Sequence, residues 1–364
     1  MAEFSRILVV VTQQLGDVLL CTPLIHACRK RWPAARIEVL GLAGTLALLQ
    51  GNPDVDGVVE VRRGGGWRQP LRDARRLWRR YDLALVTQAG DRAQLYGAVA
   101  APLRSAVLPL TGPGRGWKRW LAQHGFVGQP LRHSVLEKLQ LVSPWVDLTS
   151  DPVSLVPPAA LSLPPALESV LRQPCVVVHV PSMWRYKQWP VAHFREVTAG
   201  LLADGAQVVL TGADNASDRA LVAALRDLGA EPQLIDVCGT LSLCQVTTLL
   251  QRADAYLGPD TSVTHLAAAV GLPIVTLFGP TQPMCWGPWP AGHAAQQPWA
   301  LREQRQQVGR TVLLQGPDLP DRQCVPCGRK GCDDRNDSAS HCLEGLAPQR
   351  VLAELRDILT RQPR

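Results

Sequence analysis

The stretch GPDTSVTHLAAAVGLPIVTLFGPT, residues 258–281, leaves very few folds open. The residues leading into it, ADAYLG (253–258), form a short apolar run that reads as a buried strand, and Pro259-Asp260-Thr261-Ser262 then supplies turn and helix-capping residues. A helix is expected to start near Ser262, because Val263, Leu266, Ala267 and Val270 recur at helical spacing, and Gly271 and Pro273 stop it. IVTLF is a second strand, closed by Gly279-Pro280-Thr281. Strand, loop, helix, strand is the βαβ unit of a parallel sheet. In such a unit the loop at the carboxyl end of the first strand faces a ligand, and the first-turn N–H groups of the helix form an anion site. Thr261 and Ser262 are small enough for a diphosphate to come close. Asp260 cannot favour an anion directly, so its carboxylate either accepts hydrogen bonds from sugar hydroxyls or caps the helix. The same pattern also fits a capped βαβ unit with no ligand.

Asp260-Thr261-Ser262 followed by His265 and then GLPIVTLFGPT resembles the donor-site signature of the ADP-heptose:lipopolysaccharide heptosyltransferases, glycosyltransferase family nine, in its heptosyltransferase III-like branch. RILVVVTQQLGDVLLCTPLIHACRKRWP resembles the family's opening, and PSMWRYKQWP its phosphate-contacting loop. The resemblance implies an α/β chain of the GT-B class, two Rossmann-like doubly wound domains facing a central cleft. Residues 1–165 would form the acceptor-binding domain and 166–346 the nucleotide-sugar-binding domain, with a Cys-rich segment at 324–342. Residues 347–364 would be a terminal helix able to pack back on the first domain. The implied reaction is inverting transfer of L-glycero-D-manno-heptose from ADP-heptose to a phosphorylated lipid A-core acceptor, with no cofactor required for catalysis.

Length fits two domains, since 364 residues exceed the usual single core. An apolar content of 46% with 19% charged residues is globular and argues against wholesale disorder. The net charge of +7 favours acidic partners. Nucleic acid, anionic lipid and phosphorylated sugar all qualify, but no DNA- or RNA-binding motif accompanies the charge, so nucleic acid is not expected. ILVVV runs at once into TQQLGD, too short for a secretory h-region, and the longest apolar stretch contains His265, Gly271 and Pro273. A cytoplasmic chain follows as the expectation, peripheral on the inner membrane face if its basic surface meets lipid. The ten cysteines are then thiols or metal ligands rather than disulfides.

In the N-terminal half, residues 7–11 read as a buried strand and 12–17 as the loop into a helix reaching Arg31. Asp17 therefore sits near a helix start, where it either complements the dipole or serves as a general base. In the family the Asp of this Gly-Asp pair has the base role, and Gly16-Asp17 matches it. RIEVLG, a helix at 45–50, the strand VVEV, a helix at 71–80 and the strand LALVTQ continue the strand–helix alternation of a doubly wound sheet. Arg62, Arg63, Arg68, Arg72, Arg75, Arg76, Arg79 and Arg80 crowd one region. They are either a solvated face or a surface for phosphorylated core and anionic lipid, which Arg115, Lys118 and Arg119 with Trp117 and Trp120 would extend.

Residues 156–170, VPPAALSLPPALESV, read as the interdomain linker. CVVVHV opens the second sheet, and the loop after it carries Arg185 and Lys187 ahead of a helix starting near Pro190. Lys187 matches the family's phosphate-binding Lys before Trp-Pro, although an exposed loop lysine is common in any protein. QVVLTGAD is a further strand, 215–228 a helix, and Gly239-Thr240-Leu241-Ser242 leads into another. By resemblance Thr240, Leu241 and Ser242 lie against the base and Asp214 or Asp218 reaches the ribose, while the family's usual acidic ribose contact aligns near Ala216. His265 is either a donor to phosphate or a core histidine.

Cys324, Cys327, Cys332 and Cys342, spaced by two, four and nine residues, form either a structural Zn or Fe site or incidental thiols. Four ligands would leave no open catalytic position. Cys21, Cys28, Cys175, Cys238, Cys244 and Cys285 read as small core residues, and 348–361 as a helix with Val351, Leu352, Leu355 and Ile358 on one stripe. Other readings of the same residues are a protein (autotransporter-type) heptosyltransferase, a transferase of another nucleotide sugar, or a nucleotide-binding regulatory module whose Cys cluster senses metal or redox state. A dinucleotide oxidoreductase is disfavoured, since TQQLGD lacks G-x-G-x-x-G.

Overall fold

The computed structural model describes residues 3–62, 64, 68–112, 114–148 and 152–361. Arg63 and the side chain of Arg68, both counted in the basic run, lie outside the described residues. So do the extreme ends of the expected first domain and terminal helix, residues 1–2 and 362–364.

The chain divides into two compact units, residues 1–159 with 292–297, and residues 160–291 with 298–364. The division falls earlier than the expected 165/166. Ala159 donates its N–H to Gln50 O at 2.9 Å, in the first unit, whereas Leu161 is held by Thr248 Oγ1 at 2.6 Å, in the second. Part of the anticipated linker is helical, because Pro165 occupies a first-turn position where its missing N–H is harmless.

The first unit carries strands β1 (Arg6–Val11), β2 (Arg36–Leu42), β3 (Gly57–Val61), β4 (Leu83–Val86), β5 (Leu103–Leu108) and β6 (His124–Val127). They form one sheet in the order β3-β2-β1-β4-β5-β6, every pair parallel. Its helices are α1 (Leu15–Leu19), α2 (Thr22–Arg31), α3 (Arg68–Leu77), α4 (Asp91–Ala100), α5 (Arg115–Leu121) and α6 (Ser134–Leu139). The single helix expected to reach Arg31 is two. Pro23 has no N–H to continue the ladder, and Thr22 Oγ1 takes the Leu19 carbonyl instead, at 2.7 Å. The expected helix at 45–50 is only a 3₁₀ turn, Leu46–Leu49.

The second unit carries α7 (Pro165–Val170), β7 (Cys175–His179), α8 (Val191–Ala203), β8 (Gln207–Thr211), α9 (Ala216–Ala223), β9 (Leu234–Asp236), α10 (Leu243–Arg252), β10 (Ala255–Pro259) and α11 (Ser262–Ala269). There follow β11 (Ile274–Phe278), α12 (Pro283–Trp286), β12 (Arg305–Val308), β13 (Thr311–Gln315), α13 (His341–Glu344) and α14 (Pro348–Arg361). The sheet order is β12-β13-β11-β10-β7-β8-β9, parallel except for the β12–β13 pair. Helix α9 stops short of the expected 228, where the Arg195 guanidinium takes the Ala224 carbonyl. Each strand order reverses once, between β1 and β4 and between β7 and β10. In doubly wound sheets the carboxyl strand ends at such reversals flank the ligand crevice.

Buried Val176 and Val178 of β7 pack with Phe194, Val197 and Leu201 of α8 and with Val351 and Leu355 of α14 in one core. Helix α14 thus belongs to the second unit rather than crossing to the first, as had been allowed for. Gly200 admits Leu352 so closely that a Cβ there would lie 2.4 Å from Cδ2, and Arg356 pairs with Asp204 at 2.6 Å. Leu355→Ala should cost about 2–5 kcal/mol. Hydrogen–deuterium exchange should then speed up in α8 and leave α2 unchanged.

Candidate active site

In the first unit Asp17 stands just past the end of β1, in the first turn of α1. Its Oδ2 accepts the Gln14 N–H at 3.3 Å, so the helix-capping role is present. Its Oδ1 is buried without a hydrogen-bond partner and lies 3.8 Å from Nζ of Lys138, a lysine whose side chain is only 4% exposed. Lys138 donates to Ser134 Oγ, one helical turn back on α6. Gln88, past the end of β4, clamps the neighbouring strand end by accepting from Thr12 Oγ1 at 2.9 Å. Lys138, Ser134 and Gln88 were not singled out from sequence. The available signal was the position of Lys138 on the same helical stripe as Val135 and Leu139, a place for an apolar residue.

In the second unit β7 and β10 pair side by side, with Val178 opposite Leu257. The loops after them therefore start at the same level, and Lys187 Nζ meets Asp260 Oδ2 at 2.6 Å. Asp260 is buried; Lys187 keeps a modest exposure. Thr261 caps α11 in extended conformation, which aims the first-turn amides from Ser262 onward out of the carboxyl end of the sheet. Thr264 Oγ1 fixes that corner by bonding Tyr256 Oη at 2.9 Å, where burial pushes the phenol well above its usual range. His265 lies buried one step further along α11. The structure thus brings together Lys187, Asp260, Thr261, Ser262 and His265.

The residues expected beside base and ribose are engaged in local bonds. Ser242 caps α10 through Gln245 N–H at 3.3 Å, Thr240 Oγ1 bonds Val237 O at 3.0 Å, and Leu241 is half-buried. Asp214 pairs with Arg219 at 2.7 Å, and Asp218 accepts the Ala213 N–H at 2.8 Å. His179, at the end of β7, was not singled out. Its Nδ1 lies 3.0 Å from Thr211 Oγ1, and burial pushes the imidazole down to about 4.

Cys342 is buried, and its thiol is pushed up to about 12, first by desolvation and further by Cys327, Cys332 and Cys324. Among the described residues no group of three or more His, Cys, Asp or Glu side chains is arranged to hold a metal. Cys285, expected in the core, is half-buried, whereas Cys21, Cys28, Cys175, Cys238 and Cys244 are buried as expected. Lys118 leaves the basic surface, since it is buried and paired with Asp91 at 2.5 Å. Arg72, Arg75, Arg76, Arg79, Arg115 and Arg119 are exposed beside Trp78 and Trp120. Among the described residues no helix is long and apolar enough to cross a membrane.

The two α/β units, each built on a largely parallel sheet, match the GT-B fold of solved heptosyltransferase structures. A family model described as glycosyltransferase family 9 (heptosyltransferase) matches residues 74–315, and the chain belongs to that family. It is 26% identical over 294 residues to lipopolysaccharide heptosyltransferase 3 of Escherichia coli, covering 75% of this chain and 83% of the relative. Identity to lipopolysaccharide heptosyltransferase 1 of Pseudomonas aeruginosa is 27% over 386 residues, covering 97% and 98%. The structure of E. coli ADP-heptose lps heptosyltransferase II superposes with a TM-score of 0.70 at 21% identity, covering 98% of this chain and 99% of that one.

Because His179 is held neutral, the unfolded chain binds one more proton between pH 6.5 and about 4. The depressed value means that stability is intact above pH 6.5 and is lost as pH falls towards 4, by about 3 kcal/mol at most. Urea midpoints measured across that range should fall less steeply in His179→Gln.

Proposed function

We propose that this glycosyltransferase moves L-glycero-D-manno-heptose from ADP-heptose to the phosphorylated lipid A-core acceptor of lipopolysaccharide, with inversion at the anomeric carbon. The observation that carries the reading is the Lys187–Asp260 pair at the strand-order reversal of the second sheet, directly before the amino end of α11. An ammonium and a helix amino terminus together suit a diphosphate leaving group. Lys187 has three N–H donors, so it can hold Asp260 and still donate to phosphate. The Thr261 and Ser262 amides take the remaining phosphate oxygens, His265 is a further donor, and Asp260 orients the heptose hydroxyls. Thr240, Leu241 and Ser242 line the base, and Asp214 or Asp218 lies nearest the ribose.

In the proposed step an acceptor hydroxyl gives its proton to Asp17 as its oxygen bonds to the anomeric carbon. The bond from that carbon to the ADP oxygen breaks, and ADP leaves with the electron pair. The position of Asp17 just past β1, with an Oδ1 that accepts no hydrogen bond, supports this role. No cofactor enters the step. The exposed arginines of α3 and α5, interleaved with Trp78 and Trp120, suit a phosphorylated acceptor and an anionic inner-leaflet surface.

Incubation with ADP-heptose and either a truncated core glycolipid or a peptide acceptor, followed by mass spectrometry, tests the reading. A heptose increment on the glycolipid is expected; an increment on the peptide alone would reassign the acceptor. Asp17→Asn should lower turnover by about 10²–10⁴-fold with the ADP dissociation constant unchanged, and full turnover would remove Asp17 as the base.

The four thiols of the Cys-rich segment have donor chemistry suited to a structural Zn or Fe ion, and binding one would require them to draw together, since no three described side chains are arranged to hold a metal. About one equivalent of metal by mass spectrometry of the purified protein, lost in Cys342→Ser, is the expected result. A metal-free and fully folded wild type would leave the segment as plain thiols.

A further inference from the structure

The loop that carries Lys187 is held from a part of the chain that the proposed reaction does not use. Ser340 Oγ donates to Tyr186 O at 2.7 Å, across 154 residues of sequence. On one side of this contact the Arg185 N–H donates to Asn336 O at 3.2 Å, and on the other Trp189 Nε1 donates to Leu346 O at 3.1 Å. Ser340 is 3% exposed and Trp189 1%, so the bonds these two side chains make are shielded from water, while the Arg185–Asn336 bond lies at the surface. The same segment also reaches the loop after β11, where the Gly328 N–H donates to Pro280 O at 2.8 Å.

Ser340 is itself fixed by its neighbours. The Cys332 N–H donates to Ala339 O at 3.0 Å, and the His341 N–H points at Cys332 Sγ at 3.5 Å, which closes a small ring around Ala339–His341. Gly331, at φ +77°, lets the ring close, since a Cβ there would lie 2.7 Å from Ala339 O. The chain of contacts therefore runs from Cys332 through Ser340 and Tyr186 to Lys187, and from Lys187 Nζ to Asp260.

We infer that Ser340 is a positioning residue for the diphosphate site, and that the Cys-rich segment acts as the brace that sets the height of Lys187 against Asp260 and the start of α11. This inference rests on the phosphate-binding role proposed for Lys187. Without the Ser340 hydroxyl the Tyr186 carbonyl loses a buried partner, and the 3₁₀ turn Arg185–Lys187 keeps only its flanking bonds. Lys187 then reaches phosphate from a distribution of positions rather than one.

The test is ADP binding by calorimetry to the full chain in four forms: wild type, Ser340→Ala, Lys187→Ala and the double variant. Ser340→Ala should weaken ADP about five- to thirtyfold in the wild-type background, with less than about a twofold effect where Lys187 is already gone. An equal loss in both backgrounds would make Ser340 a general structural residue and overturn the inference. So would undiminished ADP affinity in Ser340→Ala alongside a loss in Lys187→Ala. If Lys187→Ala itself leaves ADP binding intact, it is the phosphate-site reading that fails. Should Ser340→Ala not fold, the isosteric pair Ser340→Thr and Ser340→Val makes the same comparison, with tighter ADP binding expected for the hydroxyl-bearing Thr; equal affinities would overturn the inference.

Discussion

A lysine ammonium against a buried carboxylate, Lys187 Nζ to Asp260 Oδ2 at 2.6 Å, is the contact on which the arrangement of the second unit's strand-end loops depends. Removing a carboxylate from water costs several kcal/mol unless a cation and further hydrogen bonds compensate. Asp260 can therefore stay buried only while the loop after β7 remains where it is. The sheet provides that condition: β7 and β10 are adjacent because the strand order reverses between them, so their loops leave the sheet side by side. A pair formed this way is set by the fold, and the diphosphate site proposed above would need such a pre-set charge.

The first unit meets a related problem with fewer charges in view. Asp17 caps α1 with one oxygen and faces Lys138 with the other, so capping and ion pairing do not compete for the same lone pairs. A lysine as buried as Lys138 is rare without a partner, and Asp17 with Ser134 supplies one. The reversal between β1 and β4 is reinforced by Gln88, whose side-chain oxygen serves Thr12 while its carbonyl accepts from Gln94 Nε2 at 2.8 Å. The first contact ties the end of β4 to the end of β1 just ahead of Asp17, and the second ties it to α4.

Residues 258–281 were legible in the sequence because each of their signals is local. The capping Thr261, the apolar spacing of α11 and the αL glycine at Gly271, with φ +74°, need no knowledge of the rest of the fold. Helix α14 was equally clear, yet where it docks was not, because its stripe fits any apolar groove of the right width and Gly200 selects one. The break after Leu19 has a local cause, Pro23, whereas the early end of α9 involves a side chain from elsewhere, the Arg195 guanidinium on the Ala224 carbonyl. Lys138 and Ser340 were missed for a reason of this second kind. Neither belongs to a motif, and each acquires its role only through a partner many residues away.

The Cys-rich segment shows how an irregular chain can still be exact in position. Between β13 and α13 it has no regular element, so its backbone groups must find partners one by one. Asp318 Oδ1 accepts both the Cys324 and Val325 N–H groups at 2.6 Å, and Ser338 Oγ accepts the Asp333 N–H at 3.0 Å. Gly316 lets the segment return to the sheet so closely that a Cβ would lie 1.9 Å from Cys342 O. Bonds of this kind are cooperative in the sense that each fixes a neighbour's geometry, and the last of them in this segment is Ser340 on Tyr186. A segment without regular secondary structure can therefore hold the backbone of an adjacent loop at several points, provided that its own turns are closed first.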